Sequence, residues 1–287
     1  MSDFSILWYW VREREAIRLR RETSGNPSSW TEDYILQTYR FCNVRREDDR
    51  VTQWVREHIR QRFGLHPNLW LMLCIARQIN WPDTLAELIA SDDAWPRLHE
   101  HFVPSAMTTV LSARKARGIK VYTGAYTISA PHAPGSDKGQ YVAETVIGDL
   151  WRRRGEFADW DGASLQGVHA RLMKSPGWGP FMAYQAVVDM RFTRLLDRAP
   201  DVSTWAAAGP GTLRGLNRAH GRPAKAPLPQ AQALLEMLEI HRLAPSCTGV
   251  QMDLSDVPNI LCEYDKYERV KNGDGKPRAR FVPGRGW

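Results

Sequence analysis

The stretch LMKSPGWGPFMAYQAVVDMRF (residues 172–192) decides the fold class, and DVSTWAAAGPGTLRGLNR (residues 201–218) follows it after a short break. Leu165, Val168 and Leu172 share one helical face ahead of the Pro-Gly-Trp-Gly turn, and Phe181, Tyr184 (or Gln185) and Val188 share one after it. Gly177 and Gly179 suit a turn whose backbone takes positive φ or lies close to another group. Pro180 suits a first helical turn, where its missing N–H has no intrahelical partner to lose. The second helix therefore opens with unpaired N–H groups and the positive end of its dipole facing outward, an arrangement that accepts phosphate. An αα-hairpin that only packs accounts for the same spacing.

Outward from the hairpin the pattern stays helical. Leu7, Trp10, Val11 and Ile17 form the apolar stripe of a first helix. Ser29 and Glu32 make a capping-box pattern for the next one, and Asn43 is placed to cap the helix after it, with residues 47–49 (EDD) complementing its dipole. Val51, Trp54, Val55 and Ile59 continue that helix to Phe63-Gly64, and residues 69–79 (LWLMLCIARQI) are apolar nearly all round, as a central helix is. Helices are expected from Pro82 and from Pro104, over 141–153 and 164–173, and over 256–269. Leu234, Leu235, Leu238 and His241 mark an amphipathic helix after the proline-rich linker 221–229. Residues 119–128 (IKVYTGAYTI) are the one extended segment, followed by the Pro/Gly-rich loop 130–139 with Lys138 in it. Asp201 or Ser203 is placed to cap a helix entered at Trp205, and residues 209–212 (GPGT) open a helix carrying Arg214, Asn217 and Arg218. That opening lacks the G-K-[ST] of a nucleotide-binding P-loop. The tail 271–287 is basic, rich in glycine and proline, and expected to be extended.

With 287 residues the chain is long enough for a substantial core, and we expect one domain over 1–287 with lobes poorly marked in sequence. A net charge of +7 makes an anionic partner plausible and says nothing of fold. Cys42, Cys74, Cys247 and Cys262 have no C-x-x-C spacing, which argues against a zinc ribbon, an iron–sulfur loop or a disulfide framework and for a reducing cytoplasm. His99 and His101 read as surface residues rather than metal ligands. The apolar run 4–11 is short and runs straight into Arg12-Glu13-Arg14-Glu15, so it is not a targeting signal, and no stretch approaches the roughly 18–20 apolar residues of a membrane span. The expectation is a protein with no membrane association.

SPGWGPFMAYQ resembles the hairpin of the helix-hairpin-helix DNA glycosylase superfamily, in which a Pro-Gly-x-Gly turn grips a DNA phosphate. The resemblance implies an all-α, two-lobed glycosylase-like fold with at most a small extended element. It places Gly177, Trp178 and Gly179 on DNA, and matches the superfamily's pocket aspartate to Asp201. The lyase lysine of that superfamily falls on Phe181, so strand cleavage through a Schiff base is not expected. A broader resemblance rests on RFCNVRREDD (40–49), TGAY (123–126), GWGPFMAYQ (177–185), GPGTLRGLNR (209–218) and NILCEYDKYER (259–269). Together these look like the alpha-glutamyl/putrescinyl thymine pyrophosphorylase family of phage thymine hypermodification.

That resemblance implies a reaction on double-stranded DNA carrying pyrophosphorylated hydroxymethyluracil, made by an upstream hydroxymethyluracil DNA kinase in the host bacterial cytoplasm. An amine, either an amino acid such as glycine or glutamate or a polyamine such as putrescine, displaces pyrophosphate from the exocyclic methylene. Guanidinium groups suit the leaving group because they bind phosphate oxygens bidentately and stay charged. The pyrophosphate candidates are Arg45, Arg46, Arg214, Arg218, Lys266 and Arg269. Asp201 is the first candidate for general base, with Asp189 and Glu263 behind it. Gln185, Asn217 and Asn259 present paired donors and acceptors to a uracil edge, and Trp178 or Tyr126 stacks on or replaces the extruded base. No resident metal or cofactor is expected, and a transient magnesium on the pyrophosphate is compatible with this scheme. A monofunctional glycosylase and a non-catalytic DNA-binding module are the rival readings.

Overall fold

Hydrophobic periodicity is helical nearly throughout, and the chain folds accordingly. The structure is a computed structural model and describes residues 4–98, 100–124, 137–277 and 279–282. Among these residues the fold is all-α, with no strand and only two isolated bridges. The chain divides after Asp49 and before Ser203 into two compact units. The first is built from the residues on either side of that insert, and the second is the insert itself.

The chain begins in the first unit with α1 (Ser5–Thr23) and α2 (Tyr34–Thr38). It enters the second unit at α3 (Arg50–Val55), which runs on as a π-helix over Arg56–Gln61. There follow α4 (Leu69–Ile79), α5 (Pro82–Ile89), α6 (Pro104–Ala116) and the short α7 (Lys138–Gln140), which continues through a π-helix over Tyr141–Ile147 into α8 (Gly148–Arg152). The hairpin pair α9 (Leu165–Leu172) and α10 (Pro180–Arg191) completes that unit. Back in the first unit lie α11 (Pro210–Ala219), α12 (Gln230–Thr248) and α13 (Asp256–Lys271).

In the first unit α13 is the shared neighbour of α1, α2, α11 and α12. Its closest partner is α11, and two glycines explain why. A Cβ at Gly215 would run into the Leu261 carbonyl, and one at Gly211 into the Cys262 Sγ, so only glycine lets the two helix backbones meet there. Thr212 Oγ1 ties the same contact by donating to the Pro258 carbonyl at 2.9 Å. The expected stripe of α1 is buried in full, and it includes Arg14 and Glu15 as well. In α12 the buried line is Ala233, Met237, Ile240 and Ala244, whereas Leu235 is exposed and Leu234 and Leu238 are half-buried. The expected leucine stripe is thus rotated by one position, because small residues face the neighbouring helices and the leucines flank the contact.

In the second unit α4 is the centre, with all eleven residues buried. Each large apolar side chain removed from water there contributes about 1.5–3 kcal/mol. Helix α10 packs on both α4 and α9 and buries every residue from Met182 to Met190. A bidentate ion pair crosses this contact: Arg77 of α4 donates through Nη2 to Asp189 Oδ1 at 2.5 Å and through Nε to Oδ2. Both side chains are at most 2% exposed. Arg77 Nη1 also holds Asn80 Oδ1 at 3.2 Å, where Asn80 ends α4 in the left-handed region with φ 46°.

Several local expectations are corrected. Asp33, not Ser29 with Glu32, caps α2, its Oδ1 accepting from the Ile35 and Leu36 N–H groups. Asn43 caps no helix and is instead the hub of a loop. The segment after Asp201 forms turns, with no helix until Pro210, and Asp201 caps α9 from a distance in sequence. Residues 119–124 form no strand, and the rest of that expected extended segment lies outside the described residues, as do His99 and most of the loop 130–139. The described end of the tail does run extended: Phe281 N–H donates to the Thr38 carbonyl at 2.9 Å beside a bridge between Tyr39 and Arg280. No helix among the described residues is long and apolar enough to cross a membrane.

Candidate anion-binding site

The main polar surface of the first unit lies where the segment 40–49 meets α1 and α13. Arg14 reaches it from the buried face of α1, with Nε donating to the Cys42 carbonyl at 2.9 Å and Nη2 to Asn43 Oδ1 at 2.6 Å. Asn43 closes the loop through its Nδ2 on the Asp48 carbonyl at 2.6 Å and its N–H on Asp49 Oδ1 at 2.9 Å. From α13, Glu263 accepts the Cys42 N–H at 3.0 Å and pairs with Lys266 at 2.6 Å, while Lys266 also donates to the Arg40 carbonyl at 3.0 Å. Asn259 Nδ2 reaches the Asn43 carbonyl at 3.4 Å. Asp256 takes the N–H groups of Arg46 and Asp253, both at 2.9 Å.

Next to this lies a cluster of guanidinium groups around one carboxylate. Asp265 on α13, 1% exposed, accepts Arg214 Nε at 2.8 Å and Arg218 Nε at 3.0 Å, and Arg269 Nε stands 3.6 Å away. Arg214 and Arg218 are one helical turn apart on α11, and Arg269 is one turn beyond Asp265 on α13, so the close α11–α13 approach aims all three at the same point. Arg218 Nη2 also pairs with the exposed Asp274 at 3.0 Å. Both terminal nitrogens of Arg214 and of Arg269, and Nη1 of Arg218, have no partner among the described residues. Three cations against one buried and one exposed anion leave a positive surplus with free, preoriented donors. Such a group binds a multiply charged phosphate or pyrophosphate.

Two thiols, Cys42 of the loop and Cys262 of α13, lie among these charged groups. Cys42 feels the charges of Glu263, Asp49, Lys266 and Cys262; Cys262 feels those of Glu263, Lys266, Asp265 and Arg214. Burial pushes Cys42 well above the ordinary thiol range and Cys262 up to about 11, so both stay protonated and unreactive near neutral pH. Burial also raises Asp49 and Asp256, each to about 6, against the N–H groups that each carboxylate accepts. Lys266 sits above its ordinary value: burial pulls it down, but the Glu263 carboxylate at 2.6 Å outweighs that.

Nine of the residues singled out from sequence fall in this unit, with unequal roles. Arg214, Arg218 and Arg269 share the cluster. Arg45 is held by Glu15 at 3.1 Å and Asp48 at 2.8 Å, Arg46 is buried, and Lys266 and Glu263 engage each other. Asn217 faces inward: its Nδ2 donates to the Ala224 and Ala226 carbonyls, and its Oδ1 accepts from Arg222 Nε at 2.8 Å. That turn occupies the amide expected to read a base.

The others belong to the second unit. Asp201 accepts the Leu165 N–H at 2.7 Å and the Gln166 N–H at 2.9 Å, so both carboxylate oxygens cap α9. Asp189 is enclosed with Arg77, and Gln185 is buried on the same helix. Gly177 takes φ 76°, and a Cβ there would strike Val146. Gly179 and Pro180 open α10 at the surface, while Trp178, expected at the hairpin tip, is 2% exposed. Tyr126 lies outside the described residues.

Sequence reasoning missed Asp265, Arg14 and Asp49 as site residues. Arg14 was legible, since it continues the 7, 10, 11, 17 stripe of α1 at helical spacing. Asp265 had only its place four residues before Arg269 to signal it.

The family model for the 5-hmdU DNA kinase, helical domain, matches residues 2–276. The chain belongs to this family. A 5-hmdU DNA kinase of Bacillus phage SP10 is 27% identical over 222 residues, covering 71% of this chain and 34% of that protein. The aligned part is thus about a third of the length of this curated relative. No solved structure matches. The family match spans both units, so the arginine cluster and the hairpin are features of one family domain.

Proposed function

We propose that this helical domain acts on hydroxymethyluracil-derived bases in phage-type DNA, displacing pyrophosphate from a 5-pyrophosphoryloxymethyl base with an amine. The observation that carries the reading is the cluster of Arg214, Arg218 and Arg269 around the buried Asp265, with donors directed away from it. Departure of pyrophosphate concentrates negative charge on the leaving oxygen, and preorganised guanidinium groups lower the barrier by meeting that charge as it develops. Membership of the 5-hmdU DNA kinase helical-domain family supports a hydroxymethyluracil substrate. The amine is an amino acid or polyamine, an upstream kinase supplies the pyrophosphorylated DNA, and the reaction needs no resident metal, with magnesium free to accompany the pyrophosphate. The surface-facing start of α10 at Gly179 and Pro180 serves the DNA phosphate backbone.

A second reading is favoured by the name of the relative. A domain that presents the hydroxymethyl base to a kinase active site would use the same anion site for a phosphate being transferred. These 287 residues contain no G-x-x-x-x-G-K-[ST] loop, so that reading finds no P-loop for the phosphoryl donor within them.

The test is to incubate the protein with pyrophosphorylated hydroxymethyluracil DNA and a mixture of amino acids and polyamines, digest the DNA and weigh the nucleosides. A nucleoside heavier by one amine, with pyrophosphate released, is the expected result. Unchanged nucleosides, with stimulation of a separately supplied 5-hmdU kinase, would replace the transferase by the presenting domain. Abasic sites would replace it by a glycosylase.

A further inference from the structure

The carboxylates offered by the sequence for proton transfer are not equally available. Asp201 has both oxygens on the α9 N-terminus, and Asp189 has both on Arg77. Asp256 has both on backbone N–H groups, Asp265 has both on arginines, and Glu263 is ion-paired with Lys266. Asp49 shares with Glu263 one oxygen that has no partner among the described residues, and differs from it in carrying no ion pair and in being more exposed. Its Oδ1 accepts the Asn43 N–H at 2.9 Å, its Oδ2 has no partner among the described residues, and it is half-buried rather than enclosed. It is held in place because Asn43 is itself clamped by Arg14 and the Asp48 carbonyl. Beside it is a second unfilled position: Arg14 Nη1 is buried and has no partner among the described residues.

We infer that Asp49 is the proton acceptor for the incoming amine, and that the amine is seated between Asp49 and the thiols of Cys42 and Cys262. The inference rests on the transferase reading above. An alkylammonium of the lysine kind titrates near ~10, so at neutral pH the nucleophile arrives protonated and must lose one proton to react. That proton passes to Asp49 Oδ2. The nitrogen lone pair forms the bond to the exocyclic methylene, the C–O bond breaks, and its electron pair leaves with pyrophosphate on the arginine cluster. The product is a secondary ammonium, and Asp49 returns its proton to water. The groups facing Asp49 are Arg14 from α1, Arg46 from its own loop, and Glu263 from α13. Burial among them lifts the carboxyl to about 6, which brings its proton affinity nearer to that of its substrate while leaving it ionised at neutral pH.

The experiment compares Asp49→Asn with the unmodified protein on pyrophosphorylated hydroxymethyluracil DNA, using two nucleophiles. One is an alkylamine, glycine or putrescine; the other is hydroxylamine, which is already neutral at pH 7. The carboxamide keeps an Oδ1 acceptor for the Asn43 N–H, and an unchanged melting curve and unchanged retention of the pyrophosphorylated DNA verify that the loop is intact. The expected result is an alkylamine rate lowered by about 10²–10³-fold, with the hydroxylamine rate restored to within a few-fold of the unmodified protein. Equal alkylamine rates in the two proteins would overturn the assignment of Asp49 and leave the transferase standing. Loss of both reactions would make Asp49 a structural or binding residue and overturn the proton-acceptor role. No reaction with either nucleophile in the unmodified protein would sink the transferase reading, and the role of Asp49 with it.

Discussion

The two units each place a buried aspartate against arginine, and they do so in opposite ways. In the second unit Asp189 meets one guanidinium, both oxygens engaged, with Asn80 and Thr52 occupying the remaining donors of Arg77. Nothing is left to bind a ligand, and the pair fastens α4 to α10. In the first unit Asp265 meets three guanidinium groups and completes none of them. The same chemistry fastens two helices when the charges balance and leaves donors open when cations exceed the anion that orders them. Counting donors left over, rather than arginines present, separates the two.

The contrast is broken most severely at the balanced pair. Asp189→Ala leaves Arg77 charged and buried, and the expected loss is about 3–5 kcal/mol in urea unfolding. A loss below about 1 kcal/mol would show that the pair is hydrated and not a fastener. Gly215→Ala is expected to cost roughly 1–3 kcal/mol, because its methyl meets the Leu261 carbonyl and α11 has to move off α13. The same shift carries Arg214 and Arg218 away from Asp265, so calorimetric titration with inorganic pyrophosphate is expected to show weaker binding as well as a lower melting temperature.

Arg214→Ala sharpens the comparison from the other side. We expect roughly tenfold weaker pyrophosphate binding, with stability changed by less than about 1 kcal/mol, since Arg214 is an open member of the cluster. Arg45→Ala is the control, and should change that affinity by less than about threefold because Glu15 and Asp48 already hold the side chain. Equal effects at the two positions would mean that the anion does not distinguish the cluster from the loop.

The smallest effect is in the pH profile. Asp49 and Asp256 titrate at about 6 in the folded chain and near ~3.9 when unfolded, so between these values the folded state binds more protons. Their contribution to stability is therefore full below the unfolded value and is lost as pH rises through about 6. Asp49→Asn should flatten part of that decline in melting temperature. An unchanged slope would show that Asp49 is solvated in the folded state.

What could be read from the sequence was whatever lies within one element. The apolar run 69–79 gave a helix buried on every side, and the Pro-Gly-Trp-Gly turn gave a hairpin whose second helix starts at Pro180. The basic residues of GPGTLRGLNR and NILCEYDKYER lie on the two helices whose arginines gather at Asp265. What was hidden depends on two distant segments meeting. Asp201 looked like the cap of the helix after it, yet it caps α9, 36 residues away, because the chain folds back there. Asn217 looked like a base reader until the turn 222–226 occupied its amide. Asp265 was one acid among several in α13 until Gly211 and Gly215 brought α11 against it.

The interruption of the first unit by the second has a consequence for biosynthesis. Residues 50–202 are contiguous and can close on themselves while the ribosome is still making the rest, whereas α1 must wait for α11, α12 and α13 before its buried face, Arg14 included, is covered. Asp265 follows Arg214 and Arg218 in the chain, so the arginines it orders come together only once α13 has been made. Until then Trp10, Val11 and Ile17 of α1, all buried in the folded chain, stay uncovered, and slow elongation through the insert would lengthen that interval.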